Sequence, residues 1–403
     1  MVSNRFVLAG AILAACPGRG PLEHPADPDR RQLPTGVALD PEGRVTDVGP
    51  FPLAALAAPE GDALVLLLNG FRTQGIQVVT AGSGQVRQTV EQPAAFIGMS
   101  FDWAGRRLYA SGGNEDRIYV YDWRDGSARL VDSIALATKA PKAPGTRYPA
   151  GIGVSPDGTR LYVAENLADS LAVVDVASGR VTQRLPAGRY PYAVAVGPDG
   201  TVFVSAWGAA EVRAFRPDGA QLAPRGIVAV PRHPSALLLD QRGDRLYVAS
   251  ASTDRVAVVD TTSLRVTGEL ADPVPGGTGE GSTPNALALS PDDTRLYVAG
   301  ADNNAVAVFD LASGTLLGRI PVGWYPTALV VRHDTLLVLN GKGRGSRPNG
   351  LDGPRPGASR SPGYTLEQLS GTLSVIPLAG LTPERFAARS TRAARANHWS
   401  PDT

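Results

Sequence analysis

The sequence predicts an all-β chain folded as a seven-bladed β-propeller whose N-terminal strand closes the last blade. Two observations carry this: a unit of four short apolar runs recurs along the chain, and the same turn residues punctuate each copy. The clearest copy, residues 149–188, reads PAGIGVSPDGTRLYVAENLADSLAVVDVASGRVTQRLPAG. Its apolar runs (150–154, 161–164, 170–176 and 181–185) are separated by SPDG, ENLA and ASGR. Asp and Gly in SPDG and ASGR tolerate the backbone angles of a tight reversal between paired strands. Four such runs without helical periodicity make a small antiparallel sheet, which must pack against sheets of its own kind.

The other copies lie at 191–230, 234–270 and 284–323, with weaker ones at 52–90 and 94–134 and a last one beginning at Pro326. With the second strand as anchor, Leu64, Leu108, Leu161, Val202, Leu246, Leu296 and Leu336 fall in register, spaced by 44, 53, 41, 44, 50 and 40 residues. A period of roughly 40–50 residues built from four strands points to propeller blades. Seven anchors predict seven blades over residues 33–380.

Composition agrees. There are 46 Gly and 34 Pro in 403 residues, and only 6% of residues are aromatic, so turn formers outweigh helix signals. The formal net charge of +1 gives no general attraction to nucleic acid, and a nucleic-acid partner is not expected. No run beyond the N-terminus approaches the roughly 20 apolar residues that span a bilayer.

Residues 1–16 read as a lipoprotein-type signal peptide. Arg5 precedes the short apolar run FVLAGAILAA, which ends in Leu13-Ala14-Ala15-Cys16. This ending resembles the lipobox of bacterial lipoproteins, which implies a diacylglyceryl group on the Cys16 thiol. The expected location is the cell envelope, facing the periplasm or the cell surface, with membrane contact through the lipid only. Cys16 is the lone cysteine, which excludes intrachain disulfides, CxxCH haem attachment and a cysteine zinc site. Residues 17–32, rich in Pro and charge, read as a disordered tether, and 381–403 as a C-terminal helix and tail with Pro383 in the first turn.

The last repeat lacks a fourth strand. Leu336–Asn340 is followed by an irregular stretch to Gln368, and GTLSVIPL at 371–378 supplies a third strand. The spare piece is GVALDPEGRVTDVG at 36–49, so 44–48 is expected to form the outer strand of the final blade. Such a clasp removes an open edge and ties the two ends together.

One face of the disc carries near-identical tight turns; the other varies, and binding groups are expected there. On that face the blade-to-blade links end in Arg147-Tyr148-Pro149, Arg189-Tyr190-Pro191, Arg232-His233-Pro234, Ser282-Thr283-Pro284 and Trp324-Tyr325-Pro326. Each precedes an innermost strand, which places these side chains around the mouth of the central channel. Glu165, Asn166, Trp207, Asp302, Asn303 and Lys342 stand on the neighbouring loops, and Asn285 follows a link proline. Arginine beside aromatic rings suits an anionic, partly flat ligand. The alternative is structural: aromatics packed between blades and arginines paired with neighbouring carboxylates.

Catalytic motifs are absent. There is no GxSxG, HExxH, P-loop or strand-linked GxGxxG. Of the four histidines only His233 falls near the mouth, so a three-histidine metal centre is not expected, and neither is any cofactor. A hydrolase acting on an anionic lactone would need His233 or Glu165 as general base.

The blade cores SPDGTRLYVAENLADSLAVVDVAS (155–178) and SPDDTRLYVAGADNNAVAVFDLAS (290–313) resemble those of the YVTN-repeat propellers of bacteria and archaea, with Leu-Tyr-Val-Ala where that family has Tyr-Val-Thr-Asn. The likeness implies a WD40/YVTN-like fold; members include surface-layer proteins, lactonase-like enzymes and dehydrogenase subunits. LPTG (33–36), WYPT (324–327), NGKG (340–343) and GTLSVIP (371–377) are similar to the propeller half of two-part bacterial proteins in which a metal-dependent phosphoesterase domain follows. The chain given has no such domain after the propeller. The sequence therefore points to a monomeric, exported, non-catalytic binding scaffold for an anionic small molecule or a protein partner. The alternatives are a lactonase-like hydrolase and an accessory subunit for a phosphoesterase or oxidoreductase.

Overall fold

The structure is a computed structural model and describes residues 33, 35–71, 73–140, 142–275, 280–345 and 369–399. The signal peptide, Cys16, the tether and the whole stretch from 346 to 368 lie outside the described residues. Seven four-stranded antiparallel sheets follow one another along the chain. Blades 1 to 6 comprise residues 52–91, 99–135, 149–186, 191–229, 234–271 and 284–321, each with its strands in sequence order from the channel outward.

Blade 7 closes the ring as expected. Its inner three strands are Trp324–Arg332, Thr335–Gly343 and Thr372–Pro377, and its outer strand is Arg44–Asp47, paired antiparallel with Thr372–Pro377. Two bounds differ from the sequence reading. The first strand begins at Trp324 and the second continues to Gly343, because Trp324 pairs with Gly343. Lys342 is therefore a strand residue, not a loop residue.

The repeated LYVA strand explains why the blades stack. Successive side chains of a strand point to opposite faces. Leu161 is buried against blade 2 while Tyr162 is buried against blade 4. Leu246 and Tyr247 divide in the same way between blades 4 and 6, and Leu296 and Tyr297 between blades 5 and 7. Each of the seven blade interfaces holds its own apolar cluster. The one that closes the circle packs Leu64, Leu66 and Leu68 against Leu337, Leu339 and Leu373.

The turns hold themselves. Asp157 accepts from Ser155 Oγ and Thr159 N, and Asp292 from Ser290 Oγ, Thr294 N and Thr294 Oγ1. Asp175, Asp260 and Asp310 each accept from the backbone N and hydroxyl of a serine three residues on.

A helix, Pro383–Ala396, lies on the outer strand of blade 6, capped by Thr382 with Pro383 in its first turn. It buries Phe386 and Ala393, and Ser390 Oγ accepts from Arg319 N. Arg392 reaches back to Asp40 and Glu42, so the helix also pins the segment leading into the closing strand. Among the described residues no helix is long and apolar enough to cross a membrane.

Candidate functional site: the mouth of the central channel

Six blades are entered through an X-Pro step: Phe51-Pro52, Tyr148-Pro149, Tyr190-Pro191, His233-Pro234, Thr283-Pro284 and Tyr325-Pro326. In all six, X is left-handed, with φ between 46° and 63°. That conformation costs a non-glycine residue on the order of 1 kcal/mol or more. In four of the six links an Asp or Asn that ends the second-to-third loop of the preceding blade holds it. Asp116 accepts from Arg147 N and Tyr148 N, Asp169 from Tyr190 N, Asp254 from Ser282 N and Asn304 from Tyr325 N, at 2.8–3.0 Å. These holders are left-handed too. The motif turns the chain sharply into the channel, so that the residue after the proline faces the mouth: Leu53, Tyr192, Ser235, Asn285 and Thr327 all line it.

The cavity at this end has a volume of about 670 Å³. Its wall is apolar and comes from every blade: Leu53, Met99, Ile152, Val194, Leu237, Leu287 and Leu329. Phe51, Tyr192, Trp207 and Tyr325 form an aromatic rim, with Ser235, Ser252, Thr283 and Asn285 as the polar groups. A second space of about 570 Å³ opens toward the turn face and shares Ala55, Leu287 and Leu329 with the first, so the apolar wall runs on along the axis. Burial pushes the Tyr192 phenol up to about 12, keeping it a neutral hydrogen-bond donor, and burial followed by the nearby Asp302 raises that of Tyr325.

Of the residues the sequence singled out, Trp207, Thr283, Asn285 and Tyr325 line this cavity. His233 stands directly behind Trp207, its ring stacked on the indole at 3.8 Å and 14°, with Nδ1 2.5 Å from Ser252 Oγ. Lys342 Nζ lies 3.9 Å from the Tyr325 ring centre and 5.3 Å from that of Trp324. Thr283 Oγ1 donates to Asp302, and the Asn303 carbonyl accepts from Asn397 Nδ2.

The three arginines are placed differently from the sequence reading, and none lines the cavity. Arg147 lies 3.8 Å from Glu165, Arg189 folds over its neighbour Tyr190, and Arg232 pairs with Glu280 at 3.1 Å. Tyr148 packs edge-on against Phe96 and Asn166 donates to Pro191 O. Glu165 is fully buried, held by both Nε and Nη2 of Arg184 and by Ser170 Oγ. It is a structural carboxylate, not a base facing a ligand, because its lone pairs are already committed.

Tyr192 and Phe51 are mouth residues that the sequence reading does not single out. The signal for Tyr192 is its place after a link proline, which it shares with the lining residues Leu53, Ser235, Asn285 and Thr327, whereas Ala150 at the same place packs between blades 3 and 4. Among the described residues no group of three or more His, Cys, Asp and Glu is placed to hold a metal ion.

These features define a closed seven-bladed β-propeller with an apolar axial channel open at its loop face. Over residues 135–252, spanning blades 3 and 4 and half of blade 5, the chain matches the model of the SMP-30/Gluconolactonase/LRE-like region. No curated protein matches the sequence significantly. Among solved structures, hydrazine synthase of Kuenenia stuttgartiensis is similar with a TM-score of 0.62 at 16% identity, covering 83% of this chain and 97% of that one. Virginiamycin B lyase from Staphylococcus aureus is similar with a TM-score of 0.59 at 13% identity, over 83% of this chain and 100% of that one. A proposed 6-phosphogluconolactonase from Bacteroides fragilis has a TM-score of 0.56 at 18% identity, over 69% and 86%. At these identities the likeness is one of fold.

Proposed function

We propose that this propeller binds a small molecule in the mouth of its channel, with an apolar body among the inner-strand side chains and a polar, anionic end toward Lys342. The observation that carries this reading is the cavity itself: all seven innermost strands contribute apolar side chains to a space of small-molecule size. Aromatic side chains at the rim add flat contact area, and Tyr192 and Asn285 supply directional polar groups. Lys342 takes the role first given to the arginines, since Arg147 and Arg232 already face Glu165 and Glu280. The test is thermal-shift screening against neutral and anionic amphiphiles, repeated with Ala236→Trp, which fills the channel. Ligand-induced stabilisation should vanish in the variant; stabilisation that survives would place the ligand elsewhere.

Export and lipid attachment at Cys16 belong to the same proposal and rest on residues 5–16. Radiolabelled palmitate should enter the wild type in cells and not Cys16→Ser. The resemblance to propeller halves of two-part proteins supports a separately encoded phosphoesterase as partner, testable by co-purification.

A second reading is a hydrolase of lactones or esters. It is favoured by the similarity over residues 135–252 together with the imidazole of His233 beside the mouth.

A further inference from the structure

Ser252 and His233 sit together where the channel opens, tied by the backbone as well as by their side chains. Ser252 belongs to the second-to-third loop of blade 5 and His233 to the link entering the same blade, and Ala251 N donates to His233 O at 2.9 Å. Ser252 Oγ lies 2.5 Å from His233 Nδ1. The imidazole is fixed from its face by Trp207 and from its backbone by the left-handed conformation at φ 60°. With the proton on Nε2, the Nδ1 lone pair faces the hydroxyl. Ser252 and Trp207 both line the cavity, so the hydroxyl is reachable from the ligand space. From the next blade, Asn285 lines the same cavity with its Oδ1 lacking any hydrogen-bond partner. The two ends of an amide are interchangeable in assignment, and with the amide turned so that Nδ2 takes this position Asn285 donates to a ligand oxygen.

We propose that Ser252 is a nucleophile activated by His233 as general base, acting on a carboxylic ester or lactone whose apolar part occupies the channel. This inference rests on the reading of the mouth as the ligand site. As Ser252 Oγ bonds to the carbonyl carbon, its proton passes to His233 Nδ1 and the carbonyl opens to an oxyanion facing the Asn285 amide. Collapse breaks the acyl C–O bond, and the leaving oxygen takes the proton from Nδ1; in a lactone it stays attached to the acyl chain. Water then attacks the acyl carbon, giving its proton to Nδ1, and Ser252 Oγ leaves as the hydroxyl by recovering it. The sum is one ester bond and one water converted to an acid and an alcohol.

The experiment is labelling with diisopropyl fluorophosphate, read by intact mass and peptide mapping, beside hydrolysis of p-nitrophenyl butyrate. One adduct on Ser252 is expected, absent in Ser252→Ala and formed about 100-fold more slowly in His233→Gln. No adduct, or one that persists in Ser252→Ala, overturns the proposal. A neutral naphthylamine fluorophore whose binding is blocked by Ala236→Trp separates the two readings. Binding without labelling leaves the channel site standing and removes the nucleophile; labelling of Ser252 without binding does the reverse.

Discussion

Arg184 grips Glu165 with two nitrogens, Nε at 2.9 Å from Oε2 and Nη2 at 3.0 Å from Oε1, and Glu165 has no exposed surface. Glu165 ends the second strand of blade 3 and Arg184 lies on the fourth, so the pair spans the third strand, and Arg184 Nη2 also donates to Leu136 O, on the segment leaving blade 2. The pair therefore ties two blades together.

Removing one partner of such a pair costs more than removing both, because the remaining charge is left buried. Arg184→Ala should lower unfolding free energy by about 3 kcal/mol, with Arg147 at 3.8 Å as the only other cation against the carboxylate among the described residues. The double change Arg184→Met with Glu165→Met should recover much of that loss. Urea titrations of the two variants check this; equal losses would show that the pair is not coupled.

The ring closure predicts a second result. Residues 44–47 supply the outer strand of blade 7, and Thr46 Oγ1 donates to Ser83 O of blade 1. A chain lacking residues 34–48 exposes the edge of Thr372–Pro377 and should unfold at markedly lower temperature, with a tendency to associate through that edge. Arg392→Ala, which removes one cation from Asp40 and Glu42 at a half-exposed site while Glu42 keeps Arg389, should cost only about 1 kcal/mol. Calorimetry of the two proteins gives the comparison.

Helix docking depends on a glycine. A Cβ at Gly318 would stand 2.8 Å from Ser390 Oγ and 3.1 Å from Phe386 Cβ, at a φ of 156°. Gly318→Val should loosen the helix against blade 6 and make trypsin cut at Arg385, Arg389 or Arg392 about tenfold faster, corresponding to ~1.4 kcal/mol of lost docking. Unchanged cleavage would mean that the helix adjusts around the side chain.

Acid should reveal the turns. Hydrogen bonds from Ser290 and Thr294 hold the Asp292 carboxyl down to about 2, and those of Asp157, Asp175, Asp260 and Asp310 are lowered by serine donors in the same manner. A group with a depressed folded pKa stabilises the fold above its unfolded value and loses that contribution as pH falls through the folded one. Thermal stability should therefore decline between pH about 4 and about 2. Asp292→Asn should reduce the decline in that window, measured by melting curves at each pH.

Blade number, strand order, turn chemistry and the borrowed outer strand were all determined by the sequence. They depend on local periodicity and on turn residues, which repeat in register from Leu64 to Leu336. The apolar channel was equally written there, in the alternation after each link proline. Which mouth side chains are free was decided by tertiary structure alone. Arg147 meets Glu165 and Arg232 meets Glu280 across 18 and 48 residues, and His233 finds Trp207 and Ser252 in two different loops. A left-handed residue before proline sends its side chain in a direction that composition does not encode. Whether an arginine or a histidine waits for a ligand or is already partnered is thus a property of the assembled ring.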